Sequence, residues 1–204
     1  MNIKIFNNDL PPDVDLSDEE ELAIDCEAMG LVLGRDPLTL IQIGLKTQQF
    51  YLIKLNRESY NAPHLQKLLS NEKTKFIMHF ARQDCLWIKY HLGINMKNIF
   101  CTKLASKIGR TASGYHGYKD LVKELCGKDV SKKEQQSDWG NPDLTDKQIA
   151  YAAQDTQYLF DIKGKLIKIL EREKRYELYE KCVKAIPIFV EMEMAGFKLN
   201  MFEH

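Results

Sequence analysis

Short apolar runs in the first half of the chain predict a β-rich beginning. Three of them, at 22–27, 38–45 and 50–55, are separated by polar or glycine-containing links at hairpin-like distances, which is typical of an antiparallel meander. Apolar spacing then predicts a helix over 61–70, and KFIMHF at 75–80 has the composition of a buried strand. The acidic stretch before the first run, PPDVDLSDEEE, predicts a capped turn or a short helix.

Helical periodicity dominates the rest of the chain. It returns at 82–91, and further helices are expected across 101–109, across 117–126 and from Thr145 to about 180. The order βββαβα followed by helices predicts an α/β fold, a mixed sheet flanked by helices. No internal repeat and no linker rich in Pro, Gly or Ser divides the sequence. We therefore expect one domain over 1–204, with about 181–204 as a helical C-terminal extension packed on it.

Composition narrows the classes of partner. The chain has 204 residues and 44% hydrophobic content, enough for a buried core without disulfides or structural metals. Its 29 basic and 29 acidic residues cancel, whereas proteins that grip long duplexes carry a basic excess, so a nucleic-acid substrate is expected to be short or locally held. The five scattered cysteines include no C-x-x-C, and no apolar run reaches membrane-spanning length. These features predict a cytoplasmic protein without membrane association.

The first candidate for chemistry is Asp25-Cys26-Glu27. Positions i and i+2 of a strand share a face, so both carboxylates point the same way where a buried strand ends. Two like charges there are destabilising unless a cation neutralises them, and hard oxygen ligands favour Mg²⁺ or Mn²⁺ over zinc. Taken alone, D-x-E is a common tripeptide and more often marks a solvated strand edge.

Two later segments supply further acidic groups. Asp84 begins a helix directly after KFIMHF, and Tyr151 and Asp155 lie one turn apart on a helix that Thr145 caps. Each segment alone has an ordinary structural explanation. The first is a carboxylate in the first turn of a helix, and the second is a packed tyrosine beside an exposed aspartate.

The combined set indicates phosphodiester hydrolysis. Two divalent cations, about 3.5–4 Å apart, activate a water and stabilise the departing 3′ oxygen, and they need several carboxylates from separate elements. One strand, one helix start and one later helix supply them: Asp25 and Glu27, Asp84, and Asp155. A tyrosine hydroxyl has an ordinary pKa of about 10, so Tyr151 is better suited to orienting the water than to acting as a strong base.

This set resembles the active centre of the DEDDy 3′–5′ exonucleases of the RNase D superfamily. The three motifs of that group are matched in order by Asp25 with Glu27, by Asp84, and by Tyr151 with Asp155. Ser137-Asp138-Trp139, upstream of YAAQD, is similar to RNase D itself. The resemblance implies an RNase H-like fold, catalytic roles for these five residues, and two bound cations, Mg²⁺ or Mn²⁺, held by the four carboxylates.

A closer resemblance, to nano-RNase C, covers nearly the whole chain. It is carried by 100–107, by Arg110-Thr111 and His116-Gly117, by 135–139, and by the tail from Cys182 to His204. It implies degradation of very short RNAs, dinucleotides above all, to mononucleotides, and assembly as a ring-shaped homo-octamer. It further implies that Leu31 is a wedge against the terminal bases. A core leucine after a turn is an equally weighted alternative.

An enzyme that prefers dinucleotides must recognise the 5′ end of its substrate, because longer RNAs offer the same 3′ end. Cationic and hydrogen-bonding groups around a 5′ phosphate are the physical means. Residues 97–123 are locally basic, and Arg110, His116 and Lys119 are the candidates because they flank the loop 111–115. Several of the other lysines there fit solvated helix faces.

The leading interpretation is therefore a metal-dependent exoribonuclease for short RNA. Within the same chemistry, the alternative is an RNase D-like enzyme that trims the 3′ ends of longer structured RNA; a DNA exonuclease fits less well. From a different class, the chain could be a catalytically silent RNA-binding protein on the same fold. The complete carboxylate set argues against silence, because unused buried carboxylates only destabilise a fold. His79 is expected to be a satisfied core histidine, and Trp139 a packing residue with base stacking as its alternative.

Overall fold

A six-stranded mixed sheet forms the centre of the computed structural model, which describes residues 1–131 and 133–197. Its strands are β1 (Asn2–Asn7), β2 (Glu21–Ala28), β3 (Leu38–Gly44), β4 (Gln49–Lys54), β5 (Lys75–Met78) and β6 (Ile99–Cys101). Their order across the sheet is β1-β4-β3-β2-β5-β6. The predicted antiparallel meander is confirmed by β2, β3 and β4, whereas β5 and β6 continue parallel to β2, and β1 pairs parallel with β4.

Helices follow the strands and cover the sheet. They are α1 (Pro63–Leu69), α2 (Ala81–Leu92), α3 (Thr102–Gly109), α4 (Tyr118–Leu121), α5 (Asp146–Gln157), α6 (Leu159–Arg172), α7 (Tyr176–Val183) and α8 (Ile186–Met194). A π-helical turn, Val122–Cys126, directly continues α4. Thr145 caps α5 as predicted, because its hydroxyl accepts from the backbone of Gln148 while the Gln148 side chain returns to the Thr145 backbone. None of the described helices is long and apolar enough to cross a membrane.

The strand β3 is buried along its whole length because different elements cover its two faces. On one face, Ile41 and Ile43 belong to the main hydrophobic core. On the other face, β3 and β4 meet α5 and the segment before it in a second cluster, formed by Leu40, Leu52, Trp139, Tyr151 and Ala152. One face of the sheet therefore packs against the main hydrophobic core, and the other face packs against α5.

Gly44 sets how closely α5 approaches the sheet. A Cβ at this position would lie 2.8 Å from Thr156 Oγ1 and 3.0 Å from Thr156 Cβ, which is closer than real side chains pack. Thr156 itself is 1% exposed and follows Asp155 on α5. The missing side chain at position 44 thus lets the helix that carries Asp155 rest directly on β3.

The acidic stretch before β2 forms turns, one of the two predicted alternatives. The structure differs from the predicted elements in two places. Strands β1 and β6 were not predicted. The single helix expected from Thr145 to about 180 is divided into α5, α6 and α7. At the first division the Tyr118 hydroxyl donates to the Gln154 carbonyl at 2.5 Å and accepts from the Tyr158 backbone N–H at 3.3 Å. A side chain inserted into the backbone ladder in this way interrupts a helix.

The C-terminal helix α8 packs on α2, where Arg82 forms an ion pair with Glu193. Arg82 is 7% exposed, so this pair joins the two helices below the surface. Of the predicted extension over about 181–204, residues 198–204 lie outside the described residues. The expectation of one domain over 1–204 stays a prediction.

Candidate active site

Carboxylates from three elements converge at one edge of the sheet. Asp25 and Glu27 lie near the end of β2, and Asp155 reaches the same place from α5. One carboxylate oxygen from each of these residues lies within 4.8 Å of the other two. Asp84 lies in the first turn of α2 and is 6% exposed. The sequence-predicted carboxylates are therefore brought together, and the charges of Asp84 and Asp155 both act on Asp25.

Irregular backbone positions these groups. The pairing of β2 with β3 shifts its register between Glu27 and Ala28, and the Thr39 hydroxyl donates to the Glu27 carbonyl at 2.9 Å. After β5, Phe80 adopts the left-handed region with φ of 67°, which is uncommon for a large side chain. This turn starts α2 immediately, so that Asp84 enters the site from the first turn of the helix.

Desolvation governs the electrostatics of the four carboxylates. Burial raises the pKa of Glu27 to about 9, of Asp84 to about 8 and of Asp155 to about 7. The pKa of Asp25 is raised well above its ordinary value, first by burial and then by the charges of Asp84, Asp155 and Glu27. Without a counter-charge, Glu27 and Asp84 hold their protons near neutral pH, and Asp155 is about half protonated there.

The donor set fits hard divalent cations. It consists of carboxylate oxygens, the ligands that Mg²⁺ and Mn²⁺ prefer. Asp84 Oδ2 is buried without a hydrogen-bond partner in the described part of the chain, so it is an acceptor that the protein itself does not satisfy. A cation held by Asp25, Glu27, Asp84 and Asp155 would both satisfy this oxygen and relieve the mutual repulsion.

Tyr151 lies beside this group as a neutral hydrogen-bonding residue. It is 8% exposed, and its ring packs 6.0 Å from that of Trp139, which confirms Trp139 as a packing residue. Burial, followed by the charge of Asp155, raises the pKa of the Tyr151 hydroxyl. A hydrogen bond between the two side chains lowers the pKa of Asp155, although burial outweighs it. The hydroxyl thus stays protonated across the usable pH range.

The carboxylates open into a cleft of about 330 Å³. Beyond Asp25, Glu27, Tyr151 and Asp155, it is lined chiefly by His79, Phe80, Lys103, Tyr118, Lys119 and Gln135. Lys103 Nζ lies 3.9 Å from the centre of the Phe80 ring, a cation–π contact at the rim. Cationic and aromatic groups of this kind suit the phosphates and bases of a nucleic acid.

His79 is a lining residue that the sequence did not predict as functional. The Thr102 hydroxyl donates to the Met78 carbonyl at 3.1 Å, and its oxygen lies 2.9 Å from His79 Nδ1. Because that hydroxyl has one hydrogen, its oxygen accepts from His79, so the neutral imidazole carries its proton on Nδ1. The expected hydrogen-bonded histidine is present, but at the wall of the cleft.

The predicted substrate-binding cations are placed differently. Lys119 lines the cleft. Arg110 does not line it: its guanidinium pairs with Glu124 and donates to Ser106 Oγ at 3.0 Å and to the Tyr115 carbonyl at 3.1 Å. His116 Nδ1 lies 2.8 Å from the same Ser106 Oγ. Substrate contacts by Arg110 and His116 stay predictions.

Leu31 projects from the loop between β2 and β3 and is 84% exposed, so the core-leucine alternative does not hold. The loop is held by Asp36, which accepts from the Val32 backbone N–H at 2.9 Å. A Cβ on Gly30 would lie 2.2 Å from Asp36 Oδ2, so glycine is needed for this contact. Leu31 is thus an exposed apolar side chain on a braced loop, as a stacking role requires.

A family model described as 3′–5′ exonuclease matches residues 14–171, a segment that contains all five candidate catalytic residues. The chain belongs to the 3′–5′ exonuclease family. Among its relatives in this family, Ribonuclease D of Xanthomonas oryzae is 31% identical over 68% of this chain and 37% of its own length. Protein RRP6-like 1 of Arabidopsis thaliana is 29% identical over 72% of this chain. The chain spans only 23% of the length of that second relative.

Solved exonuclease structures are similar along the whole chain. NrnC (nano-RNase C) of Brucella melitensis is 36% identical with a TM-score of 0.93, and the match covers 100% of both chains. The structure of the same protein with bound Mg²⁺ is 35% identical in sequence with a TM-score of 0.92, and the match covers 100% of both chains. Its structure bound to pGG is 35% identical with a TM-score of 0.93, and the match covers 100% of this chain and 99% of NrnC. These similarities confirm the RNase H-like exonuclease fold, the resemblance to nano-RNase C and the class of enzyme, a 3′–5′ exonuclease.

Proposed function

We propose that this exonuclease hydrolyses short RNAs from the 3′ end, dinucleotides above all, to nucleoside 5′-monophosphates with two divalent cations. The observation that carries the proposal is the convergence of Asp25, Glu27, Asp155 and Tyr151 on a small cleft, with the buried Asp84 close enough for its charge to act on Asp25. A volume of about 330 Å³ falls at the lower end of small-ligand pockets. The formal net charge of zero also favours a short substrate. NrnC, similar over the whole chain, has been solved with pGG bound.

The carboxylates and Tyr151 have different roles in this proposal. Asp25, Glu27, Asp84 and Asp155 would hold the cations, which supply a reactive water near neutral pH and neutralise charge on the departing 3′ oxygen. Mg²⁺ is the first candidate, because NrnC is known with Mg²⁺. The Tyr151 hydroxyl, fixed by Trp139 and Asp155, orients the attacking water rather than removing its proton, since its pKa is raised.

The dinucleotide preference is tested by length and by the 5′ end. We expect 5′-phosphorylated RNA of two nucleotides to be cleaved much faster than RNA of about twenty, and faster than the 5′-hydroxyl dinucleotide. Lys119 lines the cleft, so Lys119→Gln should reduce the advantage of the 5′ phosphate by about 10- to 150-fold, the effect of losing one charged hydrogen bond. The measurement is kcat/KM for each RNA in Mg²⁺.

Lys123→Gln is the matched control, because Lys123 is exposed and lies outside the cleft lining. It should leave all of these rates unchanged. Efficient stepwise shortening of the long RNA would move the assignment to RNase D-like trimming of longer RNA 3′ ends. An unchanged 5′-phosphate advantage in Lys119→Gln would remove Lys119 from substrate recognition.

Tyr151→Phe tests the orienting role. The ring and its packing on Trp139 are kept, and only the hydroxyl is lost. We expect kcat to fall by about 100-fold, with KM changed by less than about threefold, because a group that acts on the water contributes mainly in the transition state. Steady-state kinetics on the preferred RNA give both constants. A variant with wild-type kcat would exclude Tyr151 from the mechanism.

We also propose that the exonuclease is a homo-oligomer, with the octameric ring implied by resemblance as the specific form. Large apolar side chains on and beyond α7 and α8 are exposed in the single chain: Leu178 at 52%, Ile188 at 58% and Phe197 at 62%. They lie on successive elements of the chain, and large exposed apolar side chains are candidates for subunit contacts. Light scattering coupled to size exclusion measures the mass directly, and a monomer at micromolar concentration would refute the proposal. A cytoplasmic location stays a prediction.

A further inference from the structure

The side chain of Gln42 is the most unusual buried polar group in the sheet. Gln42 is 0% exposed, and neither its Oε1 nor its Nε2 has a hydrogen-bond partner in residues 1–131 and 133–197. Burying an amide in this way is destabilising, because the hydrogen bonds that it made to water are not replaced. Buried polar groups are nearly always paired, so an amide that is left unpaired in the middle of a strand calls for a reason other than stability.

The register of the sheet places this amide beside the metal-binding residues. In the pairing of β2 with β3, Gln42 is directly opposite Asp25. Directly opposed residues of antiparallel strands project from the same face, with Cβ atoms about 4.5–5.5 Å apart. The Gln42 amide and the Asp25 carboxylate are therefore on one face and within side-chain reach of each other.

The packing around Gln42 identifies that face independently. Its neighbours two residues away on β3 are Leu40 and Gly44. Leu40 packs in the cluster that contains Tyr151, and the open position at Gly44 is filled by Thr156. Both contacts come from α5, the helix that carries Asp155. Gln42 consequently lies beneath α5, on the side of the sheet where the carboxylates converge.

The chemistry of the amide suits a role behind a metal ligand. Its Nε2 offers two N–H donors, and the Asp25 carboxylate opposite it offers acceptor oxygens. Carboxylates that bind metal ions are normally held from behind by a hydrogen bond from a second residue, which fixes their orientation and tunes their basicity. Leucine or methionine would fill the same space without an unpaired group, so the amide itself is the feature to explain.

We infer that Gln42 is a positioning residue of the metal centre, and that in the cation-bound enzyme its side-chain amide donates to the Asp25 carboxylate and fixes the orientation in which Asp25 binds a cation. The inference deepens the proposed metal-dependent hydrolysis and rests on it. Gln42 does not touch the RNA in this proposal, and it acts only through Asp25.

Gln42→Met removes the amide and preserves the length of the side chain. We expect the concentration of Mg²⁺ for half-maximal activity to rise by about 10- to 100-fold, the usual effect of losing a hydrogen bond to a metal ligand. The KM for RNA at saturating Mg²⁺ should stay within about twofold of wild type. In EDTA the melting temperature should equal or exceed that of wild type, because an unpaired buried amide has been removed. The rise in melting temperature at a fixed, limiting Mg²⁺ concentration should shrink.

Leu52→Met is the matched control. Leu52 is opposite Gln42 on β4, on the same face, so this variant perturbs packing at the same place without touching an amide. It should keep the wild-type Mg²⁺ dependence. Gln42→Glu separates the effect of side-chain size from that of hydrogen-bond donation, because it keeps the shape but places a further carboxylate opposite Asp25. The Mg²⁺ concentration for half-maximal activity should rise at least as much in Gln42→Glu as in Gln42→Met.

Two results would overturn the inference. One is wild-type Mg²⁺ dependence in Gln42→Met, and the other is an equal loss in Gln42→Met and Leu52→Met, which would indicate packing alone. Activity is measured on whichever RNA length the wild-type enzyme cleaves best, so a failed dinucleotide preference leaves this test intact. If the wild type cleaved no RNA at all, the proposed function would fail. The Mg²⁺-induced shift in melting temperature would still decide the role of Gln42.

Discussion

Replacing Asp25 by asparagine is expected to lower RNA hydrolysis by at least about 1,000-fold while the chain remains folded. Asparagine keeps the shape of the side chain but removes the charge that binds the cation. Burial, followed by the charges of the neighbouring carboxylates, raises the pKa of Asp25, so a neutral asparagine avoids the free-energy cost of a charge at this position in the metal-free fold. We therefore expect the melting temperature in EDTA to rise rather than fall. Single-turnover cleavage in Mg²⁺ and thermal unfolding in EDTA measure the two effects.

Asp143→Asn is a suitable comparison, because Asp143 is exposed and precedes α5 without lining the cleft. It should retain wild-type turnover and stability. If Asp25→Asn kept a tenth of wild-type activity or more, Asp25 would not be a metal ligand. If it lost activity only together with its folded structure, the carboxylate would have a structural role instead.

The stability of the metal-free protein is expected to fall steeply as pH rises. The pKa values of Glu27, Asp84 and Asp155 in the fold are about 9, about 8 and about 7, all above their ordinary values. Each group therefore binds its proton more tightly in the folded than in the unfolded chain. The stabilisation is complete below the ordinary carboxylate pKa and is lost as pH rises through the folded values. The window runs from about pH 4 to about pH 9.

In EDTA we expect the melting temperature to drop by at least about 5 °C between about pH 5.5 and about pH 8.5, which corresponds to roughly 2 kcal/mol for a chain of this size. Saturating Mg²⁺ should remove most of the drop, because a cation bound to the folded state replaces the lost protons. Asp84→Asn should flatten the profile in EDTA, whereas Asp143→Asn should follow wild type. A flat wild-type profile in EDTA would show that these carboxylates are not desolvated as the structure has them.

Local periodicity was enough to predict the meander and most helices. Three segments have the apolar pattern and the length of a strand: 22–27, 38–45 and 50–55. Because short links join them, strands that are neighbours in the sequence are also neighbours in the sheet. The two strands that were missed depend on distant partners. β6 has only three residues and is defined by its parallel pairing with β5, while β1 is a largely exposed edge strand that pairs with β4. The alternation in Asn2-Ile3-Lys4-Ile5 is a strand signal for β1, but it is too short to decide the assignment by itself, and the three residues of β6 show no alternation.

The convergence of the carboxylates could be predicted because each motif has a local geometric meaning, and the joint pattern restricts the chemistry. The contacts of the side chains around these carboxylates could not be predicted. The pair of Arg110 with Glu124 joins residues across α4 and the π-helical turn, a geometry that no helical periodicity specifies. The cation–π contact of Lys103 with Phe80 follows from a left-handed φ at Phe80, which is set by the sharp turn between β5 and α2. The sequence analysis did not single out Gln42, because a polar residue in an apolar run carries no further local signal.

The close approach of α5 to β3 at Gly44 has a consequence for redesign. Glycine inside a strand is normally an inviting position for a stabilising substitution, because a β-branched residue restricts the unfolded chain and favours the extended backbone. Here any added side chain would meet Thr156, the residue next to Asp155. A variant library that selects for heat resistance alone would therefore have to displace the helix that delivers the last carboxylate. Position 44 belongs with the residues to be held constant when this enzyme is engineered.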